Sequence, residues 1–307
     1  MQEFDLVVIG AGVAGLTAAM VAGRYGLHTA VVERMGAGGQ IANAEKIETM
    51  PGFPEGIAGI ELGPLLQEQA ERAGAEFVLD EVVALEADGE ARVVRCADTV
   101  LRAAAVVIAA GSTPRALGVP GERALIGRGV SHCASCDGPF FKGREVGVVG
   151  GGDSAFDEAL VLAGHAVRVF VFHRGPEPRA QRVLQARAAA EGAIEIVPNS
   201  EVTEILGESE VTGVRLRDAG NGAERVQPLA GLFVYVGQVP ATGFLGDAVV
   251  TDPGGHIETD VMLQTSMPGV FAAGDIRKHF AGQLAAAAGD GATAAIAAFR
   301  YLRTRGG

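Results

Sequence analysis

The strongest constraint on this chain is a pattern that occurs twice: a run of β-branched residues, a glycine-rich turn, and a stretch that reads as helix. In the first copy, Asp5–Ile9 leads into Gly10-Ala11-Gly12-Val13-Ala14-Gly15 and a helical segment, Leu16–Tyr25. A second apolar strand, Thr29–Val32, then ends at Glu33. Continuous apolar strands of this kind are buried on both faces, as in a parallel sheet covered by helices. Each glycine has a physical task. Gly10 permits the tight turn, Gly12 lets the backbone approach a pyrophosphate, and Gly15 lets helix and strand pack closely. The helix start offers free N–H groups to phosphate, so Gly10, Gly12, Ala14 and Gly15 are the expected contacts. Glu33, 18 residues beyond Gly15, is placed to bind ribose hydroxyls.

The second copy runs from the strand Glu145–Val149 through Gly150-Gly151-Gly152-Asp153-Ser154-Ala155 into a helix ending near Ala163. The next strand, Val167–Phe172, ends in His173-Arg174, with Arg179 five residues further on. An acid would repel a 2′-phosphate, whereas arginines accept one through charge-assisted hydrogen bonds. The first fold is therefore expected to take a nucleotide with a free ribose. The second, through Gly150, Gly152, Asp153, Ser154, Ala155, His173, Arg174 and Arg179, is expected to accept NADP. Two such folds imply two nucleotides: a flavin that stays and a nicotinamide that visits.

The expected class is α/β, with two Rossmann-like dinucleotide-binding domains, the second inserted into the first. The insertion is bounded by Ser112-Thr113-Pro114, after the strand Val106–Ala110, and by Gln238–Thr242, after Leu232–Val236. The outer domain is then residues 1–112 and 243–307, and the inner one 113–242. In the returning segment, Val270–Asp275 reads as a strand whose terminal acid faces the flavin's ribityl or phosphate region. Gly289–Ala298 is expected to begin a helix aimed at the same cofactor.

Composition narrows the setting. With 48% hydrophobic and 20% charged residues the chain can bury large cores, which disorder could not supply. A net charge of −12 disfavours nucleic acid and anionic membrane surfaces, and suits a protein partner with a basic patch. No secretory signal or membrane span is expected. The apolar run Ala281–Ala298 is broken by Gly289, Asp290 and Gly291 and reads as the start of a buried helix. The expected location is the cytoplasm.

Of three cysteines, two form Cys133-Ala134-Ser135-Cys136, followed by Asp137. In a reducing compartment this spacing points to redox work or to metal. A zinc site needs about four ligands, and neither Cys96 nor the isolated His132 and His173 completes a set, so no metal is expected. A Cys-x-x-Cys at a helix start gains thiolate stabilisation. One sulfur attacks a partner disulfide and the other resolves the mixed disulfide, with Asp137 placed to shuttle protons. Cys96, in the β-like stretch Ala91–Cys96, reads as a buried small hydrophobe.

Taken in order, Gly10–Gly15, Gly38-Gly39-Gln40, Pro51-Gly52-Phe53, Ala109-Ala110-Gly111, Cys133–Gly138, Gly150–Ala155, His173-Arg174, Gly274-Asp275 and Ala288–Gly291 resemble the low-molecular-weight thioredoxin reductase family over the whole chain. The resemblance implies FAD in the outer domain, contacted also by Gly39, Gln40, Ala110, Gly111, Gly274, Asp275, Gln283 and Leu284. It implies NADPH in the inner domain, a homodimer built through the FAD domains, and a thioredoxin-like protein as substrate. It also implies that Cys136 exchanges electrons with the flavin, Cys133 attacks the partner, and Asp137 is the acid–base carboxylate. Rotation of the inner domain about hinges near 111–115 and 237–243 belongs to the same expectation.

The chain departs from the family at four positions near cofactors. Gly175 stands for the second Arg after His173, Gly282 for the Arg before Gln283, Thr49 for an Asn, and Gln238 for a His. These leave NADH or ferredoxin open as the electron donor. Two further alternatives are a flavin oxidoreductase acting on a small disulfide, peroxide or quinone, and a FAD-binding redox sensor or scaffold without turnover.

Overall fold

The computed structural model describes residues 2–305, which divide into two compact units: residues up to Thr113 together with those from Val239 onward, and the intervening Pro114–Gln238. The first unit begins with β1 (Gln2–Ile9), α1 (Val13–Arg24) and β2 (Thr29–Glu33). It continues through α2 (Gly59–Arg72), β3 (Glu76–Leu79), β4 (Val82–Asp88), β5 (Ala91–Cys96) and β6 (Val100–Ile108). Leu6, Val7, Val8 and Ile9 are all buried, so β1 is covered on both faces. That is the environment its unbroken apolar run demands, and each such side chain contributes about 1.5–3 kcal/mol. The helix α1 starts at Val13, three residues earlier than the sequence suggests, because Gly12 already serves as its N-cap.

After β7 (Ser112–Pro114) the chain enters the second unit. There it forms α3 (Glu122–Leu125), β8 (Val130–Ser131), α4 (Ala134–Asp137), β9 (Glu145–Val149), α5 (Asp153–Ala163), β10 (Arg168–Phe172), α6 (Arg182–Ala190) and β11 (Ile194–Val197). A three-stranded antiparallel sheet follows, from β12 (Ser200–Leu206), β13 (Gly213–Asp218) and β14 (Glu224–Pro228). The strand β15 (Gly231–Val234) returns to the parallel sheet, whose order is β11-β10-β9-β15-β8. Phe156, Phe172 and Phe233 are fully buried in this unit.

The chain leaves through β16 (Gln238–Pro240) and completes the first unit with β17 (Val270–Ala272) and the long helix α7 (Leu284–Arg305). The resulting sheet has the order β3-β2-β1-β6-β5-β4, with β17 also on β6. Besides pairing with β1, β6 serves two further neighbours: Val100–Ala103 pairs antiparallel with β5, while Val106–Ile108 pairs parallel with β17. Strands β3, β2, β1, β6 and β17 are thus all parallel, with their carboxyl ends along one edge.

The expected helix start at Gly289 is corrected. The helix α7 begins at Leu284 and runs through Gly289, Asp290 and Gly291 without a break. Its glycine at 291 reflects a close crossing, not a terminus: a Cβ there would stand 2.1 Å from the carbonyl oxygen of Ala14 in α1. Among the described residues no helix is long and apolar enough to cross a membrane.

Candidate active site

At the carboxyl edge of the first sheet, Gly10 turns the chain with φ 102°, and a Cβ at Gly15 would lie 1.9 Å from the Gly10 carbonyl oxygen. At Gly12 the surroundings are open, since an added Cβ would meet nothing within 4 Å, and no side chain caps the helix. The first-turn N–H groups of α1 therefore point into space that a phosphate can occupy. Glu33, at the end of β2, accepts the N–H of Ala11 at 2.9 Å and those of Arg34 and Met35 at 2.9 and 3.0 Å. Its carboxylate is fixed beside the turn, where a ribose would lie.

Gly39, Gln40, Ala110, Gly111, Gly274 and Asp275 gather at the same edge. Gly39 approaches Gly12 closely, and the Gln40 amide donates to the Ser112 carbonyl (3.1 Å), the Ser112 hydroxyl (2.8 Å) and Asp275 (3.2 Å). The Ser112 hydroxyl in turn donates to Asp275 at 3.0 Å. Ala110 and Gly111 precede this serine at the end of β6, and Gly274 packs against Ala14. Gln283 is exposed and Leu284 half-buried at the start of α7. That helix is tied to the Gly274 turn by Asp290, which accepts the Gly274 N–H at 3.1 Å and pairs with Arg277 at 2.6 and 3.0 Å.

Ser112, Arg277 and Asp290 were not among the expected contacts. The available signals were a hydroxyl directly after Ala109-Ala110-Gly111 and a lone acid flanked by glycines in an apolar helix. Gly282, where an Arg was expected, adopts φ 66°, a conformation that favours glycine.

The second unit repeats the cradle. Gly150 turns at φ 152°, an added Cβ at Gly152 meets nothing within 4 Å, and α5 has no side-chain cap. Asp153, at the first position of α5, accepts the Gln181 backbone N–H at 2.8 Å and its amide at 2.7 Å. Ser154 is exposed and Ala155 buried. The Gly151 carbonyl takes the N–H groups of Arg179 (2.6 Å) and Ala180 (3.0 Å), anchoring the loop after β10 beside the turn. Arg174 and Arg179 are both exposed on that loop, and Gly175 between them leaves one cation fewer than the family pattern. His173 is buried and its Nε2 has no hydrogen-bond partner; burial holds its pKa below the usual value. An uncapped helix start, an open glycine and an orphaned buried imidazole nitrogen together fit a pyridine dinucleotide.

In the same unit Cys133 and Cys136 form a disulfide, with Cα atoms 5.3 Å apart. Cys133 caps α4: its Sγ accepts the Cys136 N–H at 3.2 Å, and its own N–H donates to the Ser131 hydroxyl at 3.0 Å. Cys136 is exposed, and Asp137, which closes α4, is half-buried. Cys96 ends β5, buried, and burial pushes its thiol pKa up.

A chain that carries two dinucleotide cradles and a disulfide in the same unit as one of them defines a class, the two-nucleotide disulfide oxidoreductases. The comparisons agree with that class. A family model described as pyridine nucleotide-disulphide oxidoreductase matches residues 4–292. Thioredoxin reductases of Listeria monocytogenes and Bacillus subtilis are 41% and 42% identical to the chain, each over 97% of it and over 94% and 95% of their own lengths. The crystal structure of a thioredoxin reductase from Lactococcus lactis, 38% identical, superposes with a TM-score of 0.96 over 98% of this chain and 99% of that one. This chain belongs to the pyridine nucleotide-disulphide oxidoreductase family.

Proposed function

We propose that the chain is a flavoprotein thioredoxin reductase, with FAD held by the first unit and NADPH by the second. The observation that carries this reading is the Cys133–Cys136 disulfide standing in the same unit as an uncapped nucleotide cradle. Bound FAD supplies the two-electron chemistry that connects hydride donation by NADPH to thiol–disulfide exchange. Gly12, Glu33, Gln40 and Asp275 line the edge that would hold it. Gly152, His173, Arg174 and Arg179 would hold the NADPH, with the arginines on its 2′-phosphate.

In the reduced enzyme, Cys133 as thiolate attacks a sulfur of the thioredoxin disulfide. That S–S bond breaks as a mixed disulfide forms, and Asp137 delivers the proton that the departing sulfur needs. Cys136 then attacks Cys133, which re-forms the Cys133–Cys136 bond and releases thioredoxin as a dithiol. The electron pair leaves with the partner, and the enzyme is oxidised. A negative chain attracts a partner presenting a basic patch.

The enzyme works as a homodimer in the cytoplasm. Ile60 and Leu65 on α2 are exposed apolar side chains of the first unit and support a second copy as their cover. Light scattering coupled to size exclusion is expected to give twice the chain mass.

The activity is tested by anaerobic stopped-flow of the flavin-loaded protein. NADPH is expected to bleach the flavin quickly and NADH more slowly. Cys136→Ser keeps the bleaching but loses thioredoxin turnover. Bleaching by dithionite and by neither nucleotide overturns the NADPH assignment.

A further inference from the structure

Two side chains hold the dithiol segment from beneath, and the reaction just described uses neither. Ala134, the residue after Cys133, is completely buried. Its N–H donates both to Oε2 of Glu158, at 3.0 Å, and to the hydroxyl of Tyr235, at 3.2 Å. Glu158 lies at mid-length in α5, and Tyr235 directly follows β15. The Tyr235 hydroxyl also hydrogen-bonds Glu158, and burial, with that carboxylate beside it, keeps the phenol protonated far above its usual range. The phenol is therefore the donor, and it disperses part of the Glu158 charge. Two residues on, the Cys136 N–H goes to the Cys133 sulfur instead. Two backbone donors of one short turn thus serve a carboxylate and a sulfur.

A carboxylate held one peptide away from Cys133 opposes the appearance of a second negative charge on the sulfurs. We infer that Glu158, its charge tempered by Tyr235, is a positioning residue that sets how acidic the Cys133–Cys136 dithiol is. A less acidic thiol is the stronger nucleophile once ionised and belongs to a more reducing pair, as suits a protein that exports electrons. Other ionisable groups around the segment include Asp137 on α4 itself, which lines one cavity with Arg128, Arg144 and Glu210, His132, whose Nδ1 meets the Val234 carbonyl at 2.9 Å, and His165 beyond α5, whose ring lies against Gly138. The Ser135 hydroxyl stands 3.7 Å from the Cys133 sulfur.

The inference rests on reading the pair as a redox dithiol, and the test separates the two. The FAD-loaded enzyme is reduced with NADPH under argon, or with a phosphine if NADPH leaves the disulfide closed. The rate of iodoacetamide modification of Cys133 and Cys136 is then followed from pH 6 to 10 by peptide mass spectrometry. Glu158→Gln keeps an acceptor for the Ala134 N–H and removes only the charge. It is expected to lower the pH midpoint and speed modification near neutrality by about threefold to tenfold. Tyr235→Phe leaves the charge less dispersed and shifts the midpoint the opposite way. The double variant follows Glu158→Gln alone, because the phenol acts through the carboxylate. A role limited to packing would move both single variants in the same direction, and that result overturns the inference, as does an unchanged midpoint in Glu158→Gln. Failure of NADPH to open the disulfide counts against the proposed function and leaves this measurement standing.

Discussion

At the scale of single residues, the nucleotide cradle of the second unit is governed by few atoms, and each can be tested. Arg174 and Arg179 are expected to meet a 2′-phosphate through charge-assisted hydrogen bonds worth roughly 1.5–3 kcal/mol each. Replacing either with Ala should raise KM for NADPH about tenfold or more and leave KM for NADH nearly unchanged in steady-state assays. His173 gives a pH signature. Burial depresses its pKa in the folded protein, so the unfolded chain binds the proton first as pH falls. Its stabilising contribution is complete above about 6.5 and is lost as pH drops from there toward the folded value. Denaturant melts of the free protein at pH 7.5 and 5.5 should show this loss, at most about 1.4 kcal/mol per pH unit. His173→Gln should flatten that part of the profile.

At the scale of elements, the geometry of the first unit hangs on contacts between helices and turns. A methyl group at residue 291 would stand 2.1 Å from the Ala14 carbonyl oxygen, so Gly291→Ala must push α7 away from α1. The expected cost is about 1–3 kcal/mol, read as a lower Tm and weaker retention of FAD. The pair Arg277–Asp290 is mostly buried, with side-chain exposures of 18% and 12%. Arg277→Met strands the Asp290 charge and should cost about 3 kcal/mol in chemical denaturation. These two features mark where the sequence was readable and where it was not. The strands flanking the two glycine turns, the Gly10 and Gly150 turns and the cysteine pair were legible, because periodicity and glycine spacing are local properties, whereas the antiparallel strands β12–β14 were not. The run of α7 through Gly289 and Gly291 was not. Glycine there answers to a neighbouring helix, a contact between residues far apart in sequence. Ser112, Asp290, Glu158 and Tyr235 were hidden for the same reason: each matters through a partner that no local pattern announces.

At the scale of the whole molecule, the two units have separate cores, and a ligand for one should act on that one first. NADP⁺ at 100 times its Kd should add about 2.7 kcal/mol to the second unit. Hydrogen exchange is then expected to slow across β9, α5 and β10, with β1 and α1 responding to FAD instead. The way the chain passes between the units has a consequence beyond catalysis. On the inner side, the Arg115 N–H bonds the Gly237 carbonyl at 3.0 Å, and on the outer side the Ala241 N–H bonds the Gly111 carbonyl at 3.0 Å. Entry and exit are thus clasped together within each unit, so the interruption of the first unit amounts to a single surface loop. A gene encoding the outer unit could receive, exchange or lose its insert at one place, without rewiring a strand. Swapping residues 114–238 for the corresponding segment of a relative is therefore a route to new electron donors on an unchanged first unit.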